Sequence, residues 1–380
     1  MRKCWREVTL GDVVELIPGK YVPKSEYVDD GPFFIYGSNS VMGKYSKALI
    51  NVPHTVMAAI GNAGAVRYSP EPSWVNNNAF GLVANSETEP KFLFLWLENI
   101  LDLKSVVAGT VQPYVQRPLL KAVRIKLPSQ LEQKRIVDLV SSVDSYIAAL
   151  QKQADAAHAA RSAVLSELLS AGGDDWIETT LGETLEIARG GSPRPIRDFI
   201  TSEESGVNWV KIGDASASSK YIYRTEQKIR QDGVSRSRPV KVGDFILSNS
   251  MSFGRPYIMR TDGCIHDGWL LFSKVEDHFD EDFLYNLLMS DSVQTQFDSL
   301  AAGSGVRNLN IEVVGEVRIS LPPLDLQREI AEVANSLDAY VLAIEQSIVD
   351  STRLRVGLLT DLLSGEHEIP ESYDRLLGAA

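Results

Sequence analysis

Cysteine is almost missing from this chain. Cys4 and Cys264 are the two in 380 residues, and they stand far apart with no metal-ligand or redox spacing. That excludes a disulfide scaffold and leaves reduced thiols, hence a cytoplasmic setting, as the simplest reading. Histidine is equally sparse, five scattered residues, which speaks against a structural zinc site. No apolar run follows Met1, none is long enough to span a bilayer, and the Leu-Gly-Ala-Ala end has no lipidation motif, so no membrane attachment is expected. Catalytic signatures are also lacking. There is no P-loop, no Gly-x-Ser-x-Gly elbow, no His-Glu-x-x-His, and no Asn/Asp-Pro-Pro-aromatic tetrapeptide. Ala59-Ile-Gly61-Asn62-Ala-Gly64 is glycine-rich, but its spacing reads as a plain turn. His266-Asp267 could suggest a general base, yet no motif places a nucleophile beside it. No catalytic residue, metal or cofactor is expected on this chain.

Net positive charge is lacking as well: the total is −12, unlike a simple basic nucleic-acid module. Its distribution is more telling. Residues 1–128 carry 14 Lys+Arg against 11 Asp+Glu, residues 129–172 carry 4 against 5, residues 173–322 carry 16 against 23, and residues 323–380 carry 4 against 11. Within the acidic second half, Lys220, Arg224, Lys228, Arg230, Arg236, Arg238 and Lys241 are accompanied only by Glu226 and Asp232. A basic patch on an acidic protein suits phosphate contact at one face and other partners elsewhere.

The chain does contain a repeat. LPSQLEQKRIVDLV from Leu127 aligns without a gap with LPPLDLQREIAEVA from Leu321, at an offset of 194. Gln133 matches Gln327, Ile136 matches Ile330, Asp144 matches Asp338, and Tyr146 matches Tyr340. In each copy apolar residues recur at alternating steps of four and three. Ile136, Val143 and Leu150 mark the first seam, and Ile330, Leu337 and Ile344 the second. Arg161 and Arg355 interrupt both at the same position. Such a heptad predicts two long helices that need a partner, and the nearest partner is the other copy. The paired arginines suit either solvent-seeking side chains or a polar layer fixing register, and the repeat favours the layer.

A second phrase also returns. Trp5…Thr9-Leu10-Gly11-Asp12 reappears as Trp176…Thr180-Leu181-Gly182-Glu183, at an offset of 171. The unit is therefore a globular domain followed by a long helix, present twice, with about 23 more residues in the second domain. The expected division is 1–128, a first helix 129–172, a second domain 173–322, a second helix 323–365 and an acidic tail 366–380. The tail reads as a loosely ordered end that docks, if anywhere, on its own domain. Short β-branched and aromatic runs separated by Gly, Asn and Asp predict a sheet with working loops in each domain.

The loops offer donors suited to nucleic acid. In the first domain these are Lys20, Lys24, Ser38, Asn39, Asn62, Arg67, Asn76, Asn77 and Asn78. In the second they are Arg189, Ser192, Arg194, Arg197, Lys220, Arg236, Arg238, Ser248, Asn249, Arg255 and His266. Arginine forks onto phosphate or guanine, and an asparagine amide pairs at two points with adenine. Any one of them alone reads as a solvated turn residue, and His266 as a loop histidine with an ordinary hydrogen bond. As a set on the loops of a twice-used domain they favour a binding surface.

With Gly109-Thr110 and Gly303-Ser304 before each closing strand, and Leu168-Leu169-Ser170 and Leu362-Leu363-Ser364-Gly365 ending the helices, nearly the whole chain resembles the specificity subunit of type I restriction–modification systems. One departure is Leu326-Gln327, where the family often has Glu-Gln. The resemblance implies an α+β fold with two α/β target-recognition domains, each followed by a long helix. The helices would pair as an antiparallel coiled coil with pseudo-twofold symmetry. It further implies that each domain reads half of a bipartite site in double-stranded DNA. Two methyltransferase subunits, which hold S-adenosylmethionine, would dock on the chain, and motor-nuclease subunits would complete the complex. Two rival readings are a self-sufficient DNA methyltransferase or nuclease, against which the missing motifs count, and a two-domain protein- or glycan-binding scaffold held apart by a coiled coil.

Overall fold

The computed structural model describes residues 5–216, 219–249, 253–301, 309–365, 367–370 and 372–376, with the backbone alone at 301, 375 and 376. Cys4 and the Gly303-Ser304 turn lie outside the described residues. The chain forms two compact units, one of residues 1–152 with 345–380 and one of residues 153–344. Each consists of a globular part and one half of each long helix.

The phrase shared by the two halves is a strand, a cap and a turn of helix. In the first unit the strand Arg6–Thr9 pairs antiparallel with Arg124–Leu127, Arg6 opposite Leu127. Thr9 then opens the short helix Leu10–Val13, and its backbone N–H donates to the Asp12 carboxylate at 2.9 Å. That capping box keeps the Asp12 carboxyl below its usual range, chiefly through the Thr9 hydroxyl. In the second unit Ile177–Thr180 pairs with Arg318–Leu321, Ile177 opposite Leu321. The Thr180 N–H donates to Glu183 at 3.1 Å. The two ladders share one register.

In the first unit a four-stranded sheet runs Val14–Pro18, Ala79–Ala84, His54–Ala58, Val66–Ser69. The helix Pro90–Asn99 buries Phe92, Leu93, Leu95, Trp96 and Leu97 in the same core as Met57, Phe80 and Leu82. A second, three-stranded sheet runs Val41–Tyr45, Phe33–Tyr36, Ser73–Val75. The second unit enlarges both sheets to five strands. One runs Glu186–Arg189, Trp269–Ser273, Phe245–Ser248, Pro256–Met259, Tyr221–Ile222. The other runs Ile200–Thr201, Gln227–Ile229, Val207–Val210, Gly263–Ile265, Arg238–Val240. Helix Glu281–Met289 carries the matching core face, with Phe283, Leu284, Leu287 and Leu288 buried. Asp280 caps it by accepting the N–H groups of Asp282 and Phe283.

Both long helices have 41 residues, Gln130–Ser170 and Leu324–Ser364. In the first unit Ile136 and Val140 share a core with Leu359, Leu362 and Leu363, and Arg355 ion-pairs with Asp144. In the second, Leu168 and Leu169 pack with Ile330 and Ala331. There Arg161 ion-pairs with Asp338 and also donates to Asn286 at 3.0 Å. As one helix advances the other recedes, so the segments pair antiparallel in each unit. The arginine position repeated in the sequence meets the repeated aspartate position both times.

A buried glutamine fastens each long helix to its domain. The Gln133 side-chain oxygen accepts the Glu89 N–H at 2.7 Å, and its amide donates to the carbonyls of Glu87 and Pro128, both at 3.0 Å. Gln327 repeats the pattern with the Asp280 N–H at 2.9 Å, the His278 carbonyl at 3.0 Å and the Pro322 carbonyl at 2.9 Å. An amide has both donors and acceptor, so one side chain satisfies three backbone groups that a buried helix start would otherwise leave unpaired.

The acidic tail docks on the start of the first long helix. Ile369 is buried in the first unit's core, and its N–H donates to Glu132 at 2.9 Å. Arg135, also buried, forks onto both oxygens of Asp374 at 2.7 and 2.5 Å and lies 3.5 Å from Glu132. The guanidinium keeps the Asp374 carboxyl below its usual value through hydrogen bonding. A carboxyl depressed in the folded state contributes fully above its unfolded pKa of about 4 and loses that contribution as pH falls through the folded value. We expect Asp374→Asn to strip hydrogen-exchange protection from residues 367–370 and 372–376 at neutral pH, and acidification of the wild type to do the same. Protection unchanged in both would mean that Ile369 alone anchors the tail.

Candidate nucleic-acid interface

In the first unit three loops converge on the turn Asn76–Ala79. Gly19 donates to the Ala79 carbonyl at 3.2 Å and Lys20 to the Val75 carbonyl at 2.9 Å. The Asn76 N–H donates to Tyr36, which brings in the hairpin carrying Ser38 and Asn39. The Ala59 N–H donates to Asn78, which brings in the loop of Asn62. Arg67 donates from its guanidinium to the Asn39 carbonyl at 2.5 Å. Lys20, Asn39, Asn62, Arg67, Asn77 and Asn78 are exposed on this edge. Ser38 is half-buried. Asn76 is buried and accepts the Asn77 N–H at 2.6 Å, so it shapes the turn. Lys24 is exposed on a separate turn, Lys24–Glu26.

The second unit repeats this frame with other side chains. Gly190 donates to the Trp269 carbonyl at 2.9 Å and Gly191 to Ile265 at 3.1 Å; Asn249 donates from its backbone to Gly268 at 3.0 Å. Gly19 and Gly190 are 171 apart, whereas Ala79 and Trp269 are 190 apart. Most of the second domain's extra length thus falls between residues 190 and 269, around the basic run 220–241. The turn is now His266-Asp267-Gly268-Trp269. Asp267 accepts the Ser192 hydroxyl at 2.6 Å and the Arg194 guanidinium at 3.3 Å. Its backbone carbonyl accepts the Asn249 amide at 3.0 Å and Arg189 at 3.4 Å. Arg238 donates to the Arg189 carbonyl at 3.2 Å. Ser237 fixes the loop by donating to the Gly191 carbonyl at 2.8 Å. Arg236 lies over the Phe199 ring at 5.4 Å. Arg189, Arg194, Arg236 and Arg238 are exposed.

The remaining candidates are placed differently. Lys220 ion-pairs with Asp282 at 2.6 Å, on the helix Glu281–Met289. Burial opposes its charge, but the carboxylate outweighs that and raises its pKa. Arg197 stands on a separate turn, 3.6 Å from Asp198. Ser248 and Asn249 are buried, and the Arg255 N–H donates to the Ser248 hydroxyl at 3.2 Å. His266 lies between Trp209 and Trp269, its ring nitrogens facing the N–H groups of Gly268 at 2.6 Å and Ile212 at 3.2 Å. Burial lowers its pKa, which leaves the ring neutral near pH 7 and occupied within its own domain.

Asp267, notable in the sequence only as half of His266-Asp267, stands at the centre of the second edge. Its one signal is a carboxylate inside an arginine-rich set. The Ser192 hydroxyl holds its pKa down, so it is ionised beside Arg194. The two edges therefore differ in kind: amides with Lys20 and Arg67 on the first, four arginines around one carboxylate on the second. Both edges present exposed hydrogen-bond donors. Among the described residues no cluster of His, Cys, Asp and Glu could hold a metal ion, and no helix is long and apolar enough to cross a membrane.

Comparison with known proteins gives a consistent set of relatives. The family described as type I restriction modification DNA specificity domain matches twice, at residues 2–157 and 173–351. The type I restriction enzyme MjaVIII specificity subunit of Methanocaldococcus jannaschii is 24% identical over 404 residues, covering 95% of this chain and 92% of that protein. Among solved structures, the type I restriction–modification S subunit from M. genitalium superposes with a TM-score of 0.59 at 17% identity, covering 96% of this chain and 97% of that one. A chain from a structure of type I system assembly and conformational transition gives a TM-score of 0.64 at 18% identity, covering 95% and 98%.

Proposed function

The chain belongs to the type I restriction modification DNA specificity family, and on that premise we propose that it is the sequence-reading subunit of a methylating and restricting complex. Each globular domain reads one half of a bipartite, asymmetric DNA site. The paired helices set the spacing and dock methyltransferase subunits. The observation that carries this is the twice-built loop frame. The same backbone hydrogen bonds join Gly19 to Ala79 and Gly190 to Trp269, while the side chains on the frame differ. A common frame with different donors suits two recognition surfaces with two base preferences.

The division of labour follows from the charge. A chain of net charge −12 holds phosphates weakly alone, so partner subunits supply much of the backbone contact. Two like units offer two like docking faces, hence two methyltransferase subunits. S-adenosylmethionine belongs to those partners, which carry out methyl transfer to adenine N6, and motor-nuclease subunits join for cleavage. A 41-residue helix is about 60 Å long. That bounds the separation from above, and half-sites about one helical turn of DNA apart fit within it.

The test is binding by the purified chain with a methyltransferase subunit, at low salt, to a random duplex library. Selective recovery of a split motif is expected, with affinity falling steeply as salt rises. Binding without sequence preference, or no binding, would overturn the proposal, and purification on a protein or glycan ligand instead would favour the scaffold reading.

A further inference from the structure

We propose that Arg194 and Asp267 form a single reading unit that selects a G·C pair in the half-site of the second domain. The residue matching Asp267 in the first domain, Asn77, gives that half-site a different preference. This rests on the DNA-reading function proposed above and deepens it.

The geometry starts with a loop that cannot drift. Gly190, Gly191 and Ser192 fasten the segment after strand Glu186–Arg189 to the turn 265–269 through three hydrogen bonds of 2.6 to 3.1 Å, and the Ser237 hydroxyl bridges the two, 2.8 Å from the Gly191 carbonyl and 3.2 Å from that of Ile265. Pro193 is buried beneath it. Arg194 leaves this anchored loop with its side chain 80% exposed and touches Asp267, itself 45% exposed, with one guanidinium nitrogen at 3.3 Å. That exposure leaves the rest of the guanidinium open to solvent. Asp267 is held from below as well, by Ser192 and by the Asn249 amide on its backbone carbonyl.

The chemistry of the pair is complementary to one kind of base pair. A guanidinium fork matches the O6 and N7 acceptors of guanine, and a carboxylate accepts the N4 amino group of cytosine. A carboxylate also repels phosphates and the acceptor edges of thymine and guanine. Its place among Arg189, Arg194, Arg236 and Arg238 therefore makes little sense for plain backbone attraction. In the first domain the frame puts Asn77 at this position, 190 residues earlier. Asn77 is exposed, and its amide has donor and acceptor together, the pattern that suits adenine.

The experiment is methylome sequencing of cells expressing the chain with its methyltransferase subunit, wild type against Arg194→Lys, Asp267→Asn and Asn77→Asp. Arg194→Lys keeps the charge but loses the fork, and both residues are exposed enough for the fold to persist. We expect wild-type methylation at a split motif with a fixed G·C in one half. Arg194→Lys and Asp267→Asn should each lower discrimination at that position, on the order of tenfold to a hundredfold, with the other half intact. Asn77→Asp should alter the other half. An unchanged motif in both Arg194→Lys and Asp267→Asn would overturn the pairing, as would equal blurring of both halves. Absence of any motif in the wild type would instead overturn the DNA-reading function beneath it.

Discussion

Gln327→Leu should lower unfolding stability by about 2–5 kcal/mol, and Gln133→Leu should do the same to the first unit. Leucine fills nearly the same space but offers no polar atoms. The Asp280 N–H and the carbonyls of His278 and Pro322 would each lose a partner at a site where Gln327 is 1% exposed. An unsatisfied buried group costs about 1–3 kcal/mol, a large part of a typical domain's stability. Gln327→Glu gives a second signature. An ionised carboxylate facing two carbonyls is unfavourable, so burial and repulsion raise its pKa in the folded state. The variant's deficit should therefore widen as pH rises through the ordinary carboxylate range. Denaturant unfolding across pH measures both, and variants within about 0.5 kcal/mol of wild type would show the contact to be incidental.

Gly190→Ala should disable recognition by the second domain while costing about 3 kcal/mol of stability. A methyl group there would lie 2.0 Å from the His266 carbonyl oxygen and 2.8 Å from its carbon. Both are backbone atoms, so the loop has to lift off the turn, carrying Ser192 and Arg194 away from Asp267. The first domain holds the same close approach, Gly19 against the Asn76 carbonyl at 2.0 Å. Gly19→Ala should therefore damage the other half-site. Gly213 is the control, since a methyl group added there meets nothing within 4 Å. Half-site-resolved binding, read beside thermal unfolding, separates the outcomes. Normal selectivity in Gly190→Ala would mean that the loop is not the reading element.

The repeat made much of this fold legible in the sequence. Strand pairing follows the offsets of 171 and 194, and the heptad announces helices that pair with each other. The aligned Arg161 and Arg355 mark the polar positions, though their aspartate partners become visible only once the helices are set antiparallel. The individual loop residues were far less legible. Asn76, Asn77 and Asn78 are one tripeptide, yet one is buried and two are exposed. The difference is set by what arrives from elsewhere in the chain: the Tyr36 carbonyl, forty residues earlier, accepts the Asn76 N–H. Lys220 reads as part of a basic run, and only packing against Glu281–Met289 reveals Asp282 beside it. The glutamines align plainly, but nothing local says that they hold a helix to its domain.

The tail and the end of the second long helix belong to the first unit, so that unit is assembled from both ends of the chain, whereas residues 153–344 are contiguous. During synthesis the first globular part precedes Leu359, Leu362, Leu363 and Ile369 of its own core by the whole length of the second unit. Ile136 and Val140 must wait more than two hundred residues for their covering, and at about 5–20 residues per second that is on the order of ten seconds or more of exposure. The contiguous unit can close first, on the ribosome. The first must hold its helix face uncovered until residues 359–369 have followed, and for that interval it is the vulnerable part of a nascent chain.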